Sequence, residues 1–179
     1  MNILPANAFT VRTEKAAAVF TDHRRRLVLE LARGEWIERQ RNVIALGPSG
    51  TGKTHTAARA IARLVGEHGW RIGVVAQSHA VVENLLTGIV EAGVDPQRIA
   101  KKGNKTADAS WLEIDTHAYP AFLAEQTSCV IGGTAWDFAN ANRVPPGSLD
   151  LLVIEEAGQF CLANTIAVAP AACNLLLLG

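Results

Sequence analysis

The chain has no surplus of either charge: 17 lysines and arginines stand against 17 aspartates and glutamates in 179 residues. A zero balance supplies no overall field to draw in a polyanion, so any contact with nucleic acid has to come from a local patch. Cysteine is scarce as well. Cys129, Cys161 and Cys173 form no C-x-x-C pair, and the five histidines do not gather around them. That excludes zinc-ligand spacing, and the odd count argues against a disulfide framework. The three read as small buried apolar residues kept reduced. Between Met1 and Thr10 there is no basic stretch leading into an apolar run, so no secretory signal is visible. The longest apolar stretch, from Thr165 to Leu178, is interrupted by Pro170 and Asn174 and falls short of the roughly 20 residues of a membrane helix. The expectation is a cytoplasmic protein with no membrane partner. Internal repeats and low-complexity tracts are missing too.

What is present is a globular composition, 49% apolar and 19% charged, enough for one core. The chain divides at residue 41. Residues 13–41 read as a helical segment rich in arginine (Arg24, Arg25, Arg26, Arg33, Arg39, Arg41), which is either a solvated face or a phosphate-contacting one. Residues 42–179 alternate strand and helix. Apolar runs at Val43–Leu46, Arg71–Ala76, Ser128–Ile131, Leu151–Ile154 and Leu175–Leu178 read as buried strands, with helices over Lys53–Glu67 and Ala80–Glu91. Continuous apolar runs separated by helices predict an α/β fold, a mostly parallel sheet with helices on both faces. Residues 102–117, polar and turn-prone at their start, read as a loop or small insertion.

Gly47, Pro48, Ser49, Gly50, Thr51, Gly52, Lys53 and Thr54 match G-x-x-x-x-G-K-[ST] in full. The glycines let backbone N–H groups close around phosphate oxygens, and the helix that follows aims its N-terminus at the same anion. Lys53 reaches the β- and γ-phosphates and the Thr54 hydroxyl ligates magnesium. The motif follows one predicted strand and opens a predicted helix, the context that separates it from a chance glycine-rich turn. A hundred residues on, Leu151–Ile154 ends in Glu155 and Glu156. At the C-terminal end of a parallel strand these carboxylates face the same crevice. One, Glu155, is placed to hold the magnesium shell and the next, Glu156, to activate the attacking water. The expected cofactors are therefore ATP and Mg²⁺.

The run Glu155-Glu156-Ala157-Gly158-Gln159 resembles motif II of superfamily 1 helicases, particularly the Upf-like branch. Ala76 to Leu85 looks like motif Ia, Ile131-Gly132-Gly133-Thr134-Ala135 like a strand-binding motif, and Asn174 to Gly179 like the strand entering motif III. The set of motifs is similar to that of bacterial helicases fused to a RecB-like nuclease. It covers residues 43–179 and implies the first RecA-like motor domain of an ATP hydrolase that moves along single-stranded DNA or RNA. It further implies that Ser78, His79 and Thr134 touch the strand and that Gln159 links the γ-phosphate to it. A possible helix cap at Thr134 is compatible with that contact.

The sequence also departs from the pattern. Glu155 stands where the family has aspartate, Ser49 where it has proline, and no upstream glutamine for adenine is found. The motif III strand breaks off at Gly179, so the resemblance leads one to expect an incomplete core, without its second motor domain and arginine fingers, that binds nucleotide but hydrolyses and unwinds poorly. A nucleotide-binding regulatory module or an inactive helicase remnant is the alternative expectation.

Overall fold

The computed structural model describes residues 42–45, 52–103 and 110–179. The helical segment expected over 13–41 and the phosphate-loop residues Gly47, Pro48, Ser49, Gly50 and Thr51 lie outside the described residues. Within them seven strands form one sheet: β1 (Asn42–Ala45), β2 (Arg71–Val75), β3 (Ile99–Lys102), β4 (Leu112–Ile114), β5 (Cys129–Gly133), β6 (Leu149–Ile154) and β7 (Ala172–Leu178). Their order is β1-β7-β6-β2-β5-β3-β4, and every pairing among them is parallel. The helices are α1 (Lys53–Glu67), α2 (His79–Glu91), α3 (Tyr119–Glu125), α4 (Ala135–Phe138) and α5 (Leu162–Val168).

Helix α1 forms because Ala57, Ala58, Ala60, Ile61, Leu64 and Val65 recur at helical spacing and are all buried, one apolar stripe laid on the sheet. Helix α2 starts at Ser78, whose hydroxyl accepts from the Val81 backbone N–H at 3.4 Å, and buries Val82, Leu85, Leu86 and Ile89. Strand alternation sends successive side chains to opposite layers. Leu151, Val153, Leu176 and Leu178 pack with α1 and α2, whereas Leu152, Ile154, Leu175 and Leu177 pack with Tyr119, Phe122, Phe138 and Val168 of the other helices. Helices thus cover both faces, as the apolar runs required.

Two expectations need correction. Residues 102–117 are not simply a loop: β3 runs through Lys101 and Lys102, and β4 adds a further edge strand at Leu112–Ile114. The lysines disguised β3. Lys101 is 2% exposed and pairs with Glu83 of α2 at 2.9 Å, so a charged residue occupies a buried strand position with its charge matched. Helices α3, α4 and α5, at seven, four and seven residues, are too short to display a helical period. Only Cys129 is buried, while Cys161 and Cys173 are exposed.

Candidate functional site

Parallel strands end on one edge of a sheet, and the register here fixes which residues meet there. Val75 lies between Gly133 of β5 and Ile154 of β6, Ile154 is beside Leu177 of β7, and Leu178 is beside Ala45 of β1. The residues that follow these strand ends gather on a common rim, where open α/β sheets bind ligands. Glu155 and Glu156 follow β6, Ser78 and His79 follow β2, Thr134 follows β5, and the chain leaving β1 returns as Gly52 at the head of α1.

A cleft of about 620 Å³ opens on the rim, lined by Gly52, Lys53, Thr54, Glu155, Glu156, Gly158 and Gln159, with Asn84 and Thr87 of α2 on its wall. That volume is in the range of small-ligand sites. The lysine and threonine that end the glycine-rich motif and the paired glutamates therefore share one hollow. Asn84 and Thr87 were not singled out as site residues; the motif Ia likeness passes through Asn84 but gave no reason to aim it here.

The Thr54 hydroxyl donates to Glu155 Oε1 at 2.5 Å, across 101 residues of sequence. Glu155 is 6% exposed, and its backbone N–H donates to the Val75 carbonyl at 2.9 Å. Burial pushes its carboxyl above the usual carboxylate range and the Glu156 charge adds to that, while the Thr54 hydrogen bond and the Lys53 charge pull the other way. Its second oxygen, Oε2, is buried with no hydrogen-bond partner. Buried acceptors are nearly always satisfied, so this oxygen is available to an incoming donor or cation. Together with the Thr54 hydroxyl it forms an oxygen-only donor set, the kind magnesium prefers, and the residues present fit that ion.

Glu156 has φ 53°, the one non-glycine left-handed residue among those described. That conformation lets the chain turn sharply off β6. The Ala157 N–H then donates to the Leu178 carbonyl at 2.7 Å and the Gln159 N–H to the Glu156 carbonyl at 2.8 Å, so the turn is tied to the end of β7. Gln159 is exposed at the cleft.

Ser78, His79 and Thr134 share the rim but are not among the described residues lining the cleft. Ser78 and His79 are exposed. Thr134 caps α4, and its N–H and hydroxyl both donate to Asp137 Oδ2 at 2.9 Å. Asp137, missed in the sequence, is the centre of a network. Its buried Oδ1 takes Lys102 at 2.7 Å and Arg143 at 2.8 Å. The Thr134-x-x-Asp137 spacing of a capping box could have revealed part of it. The Tyr119 hydroxyl completes the corner, donating to the Gly132 carbonyl at 2.8 Å and accepting from the Lys102 N–H at 3.2 Å.

The chain matches the family model described as IstB-like ATP binding protein over residues 10–122. No curated protein matches it. Among solved structures it is similar to the UvsW helicase from bacteriophage T4, with a TM-score of 0.56, 12% identity, and coverage of 83% of this chain and 50% of that one. It is also similar to a nuclease-deletion mutant of the Type ISP restriction-modification enzyme LlaGI, solved with a DNA substrate mimic. There the TM-score is 0.54 at 15% identity, covering 88% of this chain and 17% of that one. The chain thus spans half or less of these proteins, and at such identities the likeness is one of fold: a RecA-like P-loop NTPase domain.

Proposed function

The chain belongs to the IstB-like ATP-binding protein family, and on that premise we propose that its cleft binds and hydrolyses ATP as the first motor domain of a superfamily 1 helicase, coupled in the complete protein to movement along single-stranded DNA or RNA. The hydrogen bond between Thr54 and Glu155 carries the reading. It joins the end of the glycine-rich motif to the acidic strand end, where a nucleotide triphosphate with its metal needs both.

In this reading the Gly47–Gly52 backbone and Lys53 hold the phosphates, and Thr54 and Glu155 hold magnesium. When bound, the ion would neutralise charge on the β- and γ-phosphate oxygens. Glu156, beside them on the cleft wall, orients water and accepts its proton. Gln159 senses the γ-phosphate. The test is Glu156→Gln in the complete protein: nucleotide binding is retained and turnover is lost. Unchanged ATPase activity would remove Glu156 from this role.

A second reading, a nucleotide-binding regulatory module or an inactive helicase remnant, is favoured by one observation. The Thr134 hydroxyl proton is given to Asp137 and not held ready for a phosphate. ATPase activity stimulated by a single strand, and weakening with salt, supports the motor. Nucleotide binding indifferent to any strand supports the module.

A further inference from the structure

The rim beyond the cleft carries a surface that the nucleotide chemistry does not use. Trp136, in the middle of α4, is 83% exposed, and Leu162 and Ile166 of α5 beside it are 67% and 50% exposed. The other tryptophans described, Trp70 and Trp111, are 6% and 2% exposed. Nor does Trp136 anchor its own helix. That is done by its neighbours Asp137 and Phe138, both buried. One residue from the indole, the Asp137 carboxylate collects two cations, Lys102 and Arg143, which remain 25% and 23% exposed. Two positive charges against one negative leave a local cationic surplus in a chain whose total charge is zero.

We propose that Trp136 is a stacking platform for a base of a bound single strand, with Lys102 and Arg143 the adjoining contacts to its phosphates. An aromatic face next to cations on a rim is how proteins hold single strands without reading sequence. An apolar protein partner would cover the same indole at the cost of desolvating a surplus cation; an anionic strand makes use of both features. The position agrees: α4 follows β5, the immediate neighbour of β2, so Trp136 stands on the same rim as Ser78 and His79. The inference rests on the strand-binding reading above and adds the residue that carries affinity.

The experiment uses the full chain with an oligothymidylate and an oligouridylate at low salt, and compares wild type with Trp136→Phe and Trp136→Ala. Binding is expected to quench the intrinsic fluorescence of wild type, and the Trp136 share of that quench disappears in Trp136→Phe. Affinity in Trp136→Ala drops roughly ten- to a hundredfold, while binding of a fluorescent ATP analogue is unchanged. Equal oligonucleotide affinity in wild type and Trp136→Ala overturns the platform and leaves strand binding standing. Failure of wild type to bind either oligonucleotide overturns both. A change in self-association by light scattering in Trp136→Ala, with strand affinity unaltered, would make the patch a contact between copies and also overturn the platform.

Discussion

The Thr54 hydroxyl reaches the Glu155 carboxylate at 2.5 Å, so the first turn of α1 and the end of β6 are joined by one side-chain hydrogen bond. That bond engages Oε1 of the Glu155 carboxylate, whose other oxygen, Oε2, is buried without a hydrogen-bond partner. Thr54→Ala removes this donor from a buried carboxylate, which costs about 1–3 kcal/mol. The carboxyl, already held high by burial, moves higher still. Urea unfolding is expected to show this loss, and magnesium-dependent binding of an ATP analogue to weaken with it. Thr54→Ser, which keeps the hydroxyl, should restore both. A Thr54→Ala protein as stable and as responsive to magnesium as wild type would show that the bond matters to neither.

Asp137 gives a pH dependence of definite sign. Burial acts to raise its carboxyl, but hydrogen bonds from Lys102 and Thr134 and the Lys102 charge outweigh burial and hold it below the usual aspartate value. A carboxyl depressed in the folded state contributes stability above its unfolded pKa and loses that contribution as pH falls through the folded value. Asp137→Asn should therefore destabilise the protein by about 1–3 kcal/mol at neutral pH, since the partly exposed Lys102 and Arg143 lose their shared counter-charge. The gap between variant and wild type should narrow below the ordinary aspartate range. Denaturant midpoints measured across pH check this, and a gap independent of pH would rule out the ionised carboxylate as its source.

Much of this architecture was legible before any coordinates. The strands expected at Arg71–Ala76 and Leu151–Ile154 coincide with β2 and with the apolar end of β6, because parallel strands buried on both faces need apolar runs. Asp150 interrupts that run and hid the start of β6 at Leu149. Helix α1 read correctly because its buried positions keep an uninterrupted helical spacing. The meeting of Thr54, Glu155 and Glu156 in one cleft was legible because residues that follow parallel strands gather on one rim of the sheet. What stayed hidden is held by long-range pairing. Lys101 looks like surface until Glu83 is brought beside it, and Asp137 looks like an ordinary cap residue until Lys102 and Arg143 converge on it. Nothing local in Ala135–Phe138 indicates that Trp136, of all its neighbours, faces solvent.

Glu156 offers a way to separate conformation from chemistry. At φ 53° a side chain bearing a Cβ carries a backbone penalty that glycine escapes. Glu156→Gly is expected to keep or slightly raise the melting temperature while abolishing turnover. Glu156→Val should lower stability by about 1–2 kcal/mol, since a β-branched residue is poorly suited to this region. Calorimetry of the pair tests the ordering. Valine at least as stable as glycine would mean that the left-handed turn off β6 is not held in solution.

Gly132 couples the core to the rim. A Cβ placed there would stand 2.8 Å from Val82 Cγ1 and 2.8 Å from Leu86 Cδ1, both on the buried side of α2. Val82 and Leu86 are fully buried, so the added methyl is absorbed by their repacking and by a shift of α2, which carries Asn84 and Thr87 to the cleft wall. Overpacking of this kind costs about 1–3 kcal/mol. Gly132→Ala should therefore lower the urea midpoint and loosen nucleotide binding together. Val82→Ala alone leaves a cavity and destabilises for the opposite reason. Combined with Gly132→Ala it makes room for the added methyl, so the double variant should lose less stability than the two single losses added together. Strict additivity would mean that α2 and β5 are not in the close contact from which the coupling follows.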